Sequence, residues 1–191
     1  MVQPLFDAVV PAPAPGAGDR WLAFDECRER VPASLVPWLA EPGLLTARVR
    51  AACGAATRLR MLRLEPAPLD LALARRLGVD DATCLLREIE FTCGTRRWIF
   101  AQSVLPQSTV RQHPWLRERG DRGLGESLNA VADVRREPLE FLELAASHPL
   151  ARAAGAVESV APLWARRAVY RLGGWPILVQ EVFLPALGRS D

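Results

Sequence analysis

The chain has 191 residues, 50% of them hydrophobic and 24% charged, with a formal net charge of +2. That is enough apolar material for one cored domain, and its nearly balanced charge, spread along the chain, speaks against nucleic acid as a partner. All 24 basic residues are arginine, which excludes chemistry that needs a lysine: a Schiff base, a pyridoxal phosphate anchor or a phosphate-loop amine.

Cys27, Cys53, Cys84 and Cys93 are widely spaced and His113 lies far from His148, so the ligand spacing of a structural zinc site is missing and no metal is expected. Four reduced, inert cysteines in a cytoplasmic protein are the expectation. The N-terminus has no signal-peptide pattern, and no apolar run approaches the ~20 residues of a membrane span.

Residues 1–18 include "PAPAPGAG" and read as an extended tail, with one domain over 19–191. Ser34 is expected to cap a short helix that turns Leu35, Trp38 and Leu39 inward, and a second helix is expected from about Thr46 to Gly54. "TRLRMLRLE" at 57–65 alternates as a strand, with Leu59, Met61 and the stem of Arg63 on one face. "PLDLALARRLGV" at 68–79 has helical spacing and stops at Gly78. The runs at 83–91 and 96–106 flank "TCGT" and predict a hairpin. Short helices are expected between 124 and 155, then a second hairpin across Gly173-Gly174. Such an order predicts an α+β fold on a single antiparallel sheet of about six strands, with helical flaps over a buried ligand pocket.

Two residues break the apolar pattern. Alternation puts Leu85, Arg87, Ile89 and Phe91 on one face of their strand, leaving Glu88 and Glu90 on the other, expected in water. In "ILVQEVFLP" at 177–185, Glu181 shares a face with Ile177, Val179 and Phe183. An unpartnered charge on an apolar face costs several kcal/mol. Arg87 and Glu181 therefore either form a buried ion pair or flank a pocket in which Arg87 grips a carboxylate and Glu181 accepts a hydrogen bond from a hydroxyl. Periodicity leaves both readings open.

The order "LLREIEF", "RRWIFAQSVLP", "LG..L" and "WARRAVY…PILVQEVFLP" resembles the chorismate pyruvate-lyases over about residues 35–130 and 162–185. The resemblance implies a monomeric, cofactor-free lyase that converts chorismate to 4-hydroxybenzoate and pyruvate for ubiquinone synthesis. It implies that Arg87 holds the ring carboxylate, that Glu181 lies near the ring hydroxyl, and that Leu45 and Leu124 form walls of the substrate site. Either Arg166 or Arg167 is a candidate for the pyruvyl carboxylate, and alternation allows at most one of them inward. Ser103 has no His and Asp set beside it, so nucleophilic hydrolysis is not expected. The same architecture also serves the effector-binding domains of bacterial regulators, and a non-catalytic aromatic-acid sensor is the alternative. Such sensors normally follow a helix-turn-helix domain, for which there is no room before residue 35.

Overall fold

The computed structural model describes residues 19–118, 123–129, 131, 133–156 and 161–189; the expected tail at 1–18 lies outside them. Seven strands form one antiparallel sheet: β1 (Thr57–Pro68), β2 (Thr83–Cys93), β3 (Arg96–Pro106), β4 (Val134–Arg136), β5 (Glu140–Leu144), β6 (Leu163–Leu172) and β7 (Trp175–Phe183). Their spatial order is β1-β2-β3-β7-β6-β4, and β5 also pairs with β6. β5 takes residues 163–167 of β6 and β4 takes residues 170–172, so the two short strands lie end to end along one edge.

The helices are α1 (Phe24–Cys27), α2 (Val36–Leu39), α3 (Leu45–Cys53), α4 (Leu71–Leu77), α5 (Gln107–Gln112), α6 (Leu124–Asn129) and α7 (Pro149–Ala153). α4 follows its sequence signals: the Asp70 side chain accepts from the backbone N–H groups of Ala72 and Leu73, and Gly78 ends the helix at φ 72°, a conformation that is cheap only for glycine. α2 lacks the expected cap. Leu35, not Ser34, stands at its N-cap position and makes no side-chain cap bond, while Pro37 occupies the first turn; burial of Trp38 and Leu39 holds this single turn instead.

Three expectations are corrected on the sheet. The segment at 140–144, expected to be helical, is a strand: the buried Phe141 and Leu144 have helical spacing, but Phe141 pairs across to Arg166 and exchanges backbone hydrogen bonds with Leu22, and these tertiary bonds override the local pattern. In β1 the register shifts between Met61 and Arg63. A bulge at Leu62 therefore turns Arg63 toward the face of Glu88 instead of sharing that of Leu59. Glu88 and Glu90 are buried, at 7% and 2% exposure, because α4 and α7 cover the face that was expected to meet water. Glu90 is held between Arg60 and Arg97, each with a closest N–O approach of 2.6 Å, and Glu88 accepts from the Gln102 amide at 2.9 Å.

The cysteine expectation also fails in part. Cys27 and Cys84 are free and buried, and burial pushes the Cys84 thiol up to about 11, which makes it inert. Cys53 and Cys93 form a disulfide with a Cα–Cα distance of 5.7 Å. Forty residues separate them, yet α3 ends just before Thr57, whose cross-strand partner is Cys93. Closing a loop of that length stabilises a chain by about 4 kcal/mol in the chain-entropy account. Reduction, or Cys53→Ser, is therefore expected to lower the melting temperature by roughly 10 °C; identical melting curves with and without a thiol reductant would contradict this.

Candidate active site

Strand register decides which side chains meet. Arg87 lies opposite Ser103, and Ser103 opposite Val179, while Ala101 lies opposite Glu181 and Glu181 opposite Arg166. Arg87 and Glu181 thus share a face, two strands apart and offset by two residues, or roughly 10 Å across and 7 Å along the sheet. Arg87 is 1% exposed. The space between these side chains is a chamber whose walls include Ile89, Phe91, Ala101, Ser103 and Val179.

The ion-pair partner of Glu181 is Arg166, whose Nε donates to Oε2 at 2.5 Å. Nη1 of the same guanidinium donates to three backbone carbonyls, those of Trp38, Leu39 and Glu41, at 3.3, 3.2 and 2.9 Å. Arg166 is 3% exposed and works as a rivet. It neutralises and orients the carboxylate on the sheet and at the same time satisfies the carbonyls at the end of α2, while Glu181 lines the chamber. A guanidinium suits this task because its donors leave one plane in fixed directions.

The cover comes from the segment leading into α3 and from α6. Leu45 and Thr46 on one side and Gly123, Leu124, Gly125 and Leu128 on the other line the chamber. The two covering segments are in close contact: a Cβ added at Gly125 would lie 3.0 Å from Leu44 Cδ2, and one at Gly123 would lie 3.1 Å from Thr46 Oγ1. The space they cover is narrow, about 40 Å³.

Five of the residues singled out from sequence therefore converge on one chamber: Leu45, Arg87, Leu124, Arg166 and Glu181. Arg167 does not. It lies on the opposite face, with Nε bonded to Glu140 at 2.8 Å and its guanidinium 4.2 Å from the centre of the Trp21 ring. Sequence reasoning missed Tyr170, the chain's one tyrosine, which lines the chamber two alternations beyond Arg166 on β6. Burial first, and the charge of Glu181 second, push its phenol above the usual range, so at neutral pH it is a hydrogen-bond donor. The signal was available, since residues 166, 168 and 170 of a strand share a face.

A family model described as chorismate lyase matches residues 19–189. A protein named probable chorismate pyruvate-lyase from Azoarcus sp. (strain BH72) is 40% identical over 188 residues, covering 93% of this chain and 97% of its own length. One of the same name from Dechloromonas aromatica (strain RCB) is 41% identical over 156 residues, covering 78% and 86%. Among solved structures, the effector domain of PhnF from Mycobacterium smegmatis aligns with a TM-score of 0.55 at 19% identity, covering 78% of this chain and 91% of that one. The ligand-binding domain of a GntR-family regulator from Bordetella bronchiseptica aligns at 0.51 with 21% identity, covering 68% and 84%. At such identities these two speak for the fold alone.

Proposed function

Since the chain belongs to the chorismate lyase family, we propose that it converts chorismate to 4-hydroxybenzoate and pyruvate, and that Arg87 and Glu181 are the polar poles of its substrate site. The observation that carries this reading is the shared face of those two residues beneath the cover of α3 and α6. The Arg87 guanidinium, always charged and bidentate, grips the ring carboxylate. Glu181 Oε1 accepts the ring hydroxyl, while Arg166 fixes its other oxygen. Leu45 and Leu124 wall the ring.

The reaction breaks the ether bond between the ring and the enolpyruvyl oxygen and removes the hydrogen from the carbon that bears the hydroxyl. The three-carbon fragment leaves as pyruvate once it has gained that hydrogen, and the ring becomes aromatic; no redox step is needed. Aromatisation makes the chemistry strongly downhill, so the protein's contribution is positioning and exclusion of water. In this account Glu181 orients the hydroxyl. The hydrogen that departs is bound to carbon and passes within the substrate, so no general base is assigned. The product suits a first step of ubiquinone synthesis in the cytoplasm.

Product identity tests the proposal. Incubation with chorismate should give 4-hydroxybenzoate and pyruvate in equal amounts. A different hydroxybenzoate isomer, or pyruvate without an aromatic partner, would reject the assigned orientation of the ring between Arg87 and Glu181.

A further inference from the structure

Chorismate carries two carboxylates, and the contact proposed for Arg87 accounts for one of them. Arg166 is committed: its Nε goes to Glu181 and its Nη1 to three carbonyls. Arg167 is behind the sheet, held by Glu140. Of the two candidates from sequence, Arg167 faces away from the chamber and Arg166 is already engaged by Glu181 and the carbonyls at the end of α2.

A second cavity lies directly outside the first. It is lined by Pro42, Gly43, Leu44, Leu128, Arg136 and Tyr170, among others, and shares Gly43, Leu44, Leu128 and Tyr170 with the inner chamber. These four residues form a thin partition between the two. Arg136, the last residue of β4, is the direct cross-strand partner of Tyr170, and its positive charge acts on the phenol against the larger effects of burial and Glu181. It is exposed, and among the described residues no carboxylate lies within ion-pair distance of it.

The order of strands matches the order of groups on the substrate. Across the sheet run β2 with Arg87, β3, β7 with Glu181, β6 with Tyr170 and β4 with Arg136, the last two level with Ile177, four residues along β7 from Glu181. Along chorismate run the ring carboxylate, the ring, the hydroxyl opposite that carboxylate, the ether on the neighbouring carbon and the second carboxylate. With the first held by Arg87 and the hydroxyl by Glu181, the ether side chain projects toward Tyr170 and the outer cavity.

The geometry points to Arg136 as the residue that binds the enolpyruvyl carboxylate, with Tyr170 as the shared donor at the partition, making the outer cavity a second carboxylate subsite. This rests on the lyase reading above. It also gives the departing pyruvate a place outside the ring chamber.

The test compares two ligands that differ in this carboxylate. Arg136→Gln is expected to raise KM for chorismate roughly 10- to 100-fold, the worth of a lost charge-assisted hydrogen bond, with a much smaller change in kcat. Its affinity for 4-hydroxybenzoate, which lacks the second carboxylate, should stay that of the unaltered protein, and Arg136→Lys should recover part of the loss. An unchanged KM, or an equal loss of 4-hydroxybenzoate affinity, would overturn the assignment; the latter would mean that Arg136 only shapes the partition. If the unaltered chain releases no pyruvate, the lyase reading itself fails. The subsite is then judged by direct titration: weaker chorismate binding by the Gln variant with unchanged 4-hydroxybenzoate binding supports it, and equal binding of chorismate by both proteins refutes it.

Discussion

Arg87→Ala is expected to lower kcat/KM for chorismate by roughly a thousandfold and to weaken 4-hydroxybenzoate binding by a similar factor. The side chain is 1% exposed and stands on an otherwise apolar face with Leu85, Ile89 and Phe91. In such surroundings a bidentate guanidinium–carboxylate contact amounts to two charge-assisted hydrogen bonds, each about 1.5–3 kcal/mol. Alanine removes both and leaves the ligand carboxylate in a space that offers poor solvation. Lysine would keep the charge and lose the fork, so Arg87→Lys should recover only part of the binding. The measurement is steady-state kinetics together with a titration of the product. If Arg87→Ala binds 4-hydroxybenzoate like the unaltered protein, the carboxylate grip lies elsewhere.

The second large effect belongs to Glu181, where binding and stability are joined. Glu181→Ala deprives Arg166 of its counter-charge in a site where the guanidinium is 3% exposed. Stranding a buried charge costs about 3–5 kcal/mol, or roughly 10 °C in melting temperature for a domain of this size. The same guanidinium holds the carbonyls of Trp38, Leu39 and Glu41. Loosening it should also loosen the approach to α3 and hence the cover. Glu181→Gln also removes the counter-charge but keeps the shape and one acceptor oxygen, so it should melt between the Ala variant and the unaltered protein, and substantial remaining turnover would leave the residue the role of orienting the hydroxyl. A collapse of kcat in the Gln variant, with chorismate binding retained, would instead make Glu181 a base. Unchanged melting of the Ala variant would show that Arg166 does not depend on the pair.

How far the sequence revealed these features depended on whether the cause was local. The cap and stop of α4 were legible because Asp70 and Gly78 act within one turn. Both hairpins were legible because their turns carry glycine, with Gly94 at φ 58° and Gly173 and Gly174 at 54° and 97°. The paired oddities, Arg87 and Glu181, were legible because alternation alone places them. What failed depended on what lies across the sheet. β5 reads as a helix until β6 is beside it, Glu88 and Glu90 read as solvated until α4 and α7 cover them, and nothing in β1 announces the slip at Leu62.

The pairing of Arg166 with Glu181 stands between these cases. The hairpin was expected at Gly173-Gly174, and a two-residue turn fixes the register of its strands. Leu172 opposite Trp175 then carries Arg166 opposite Glu181. The pair was derivable from the turn alone, which would have removed Arg166 from the candidates for the second carboxylate.

Pyruvate release from chorismate by the purified chain, against the spontaneous rate, tests the central claim most directly. The account predicts catalysed release matched by 4-hydroxybenzoate in the unaltered protein and lost in Arg87→Ala. Release no faster than the spontaneous rate, with 4-hydroxybenzoate still bound tightly, would contradict it and make the chamber a binding site without catalysis.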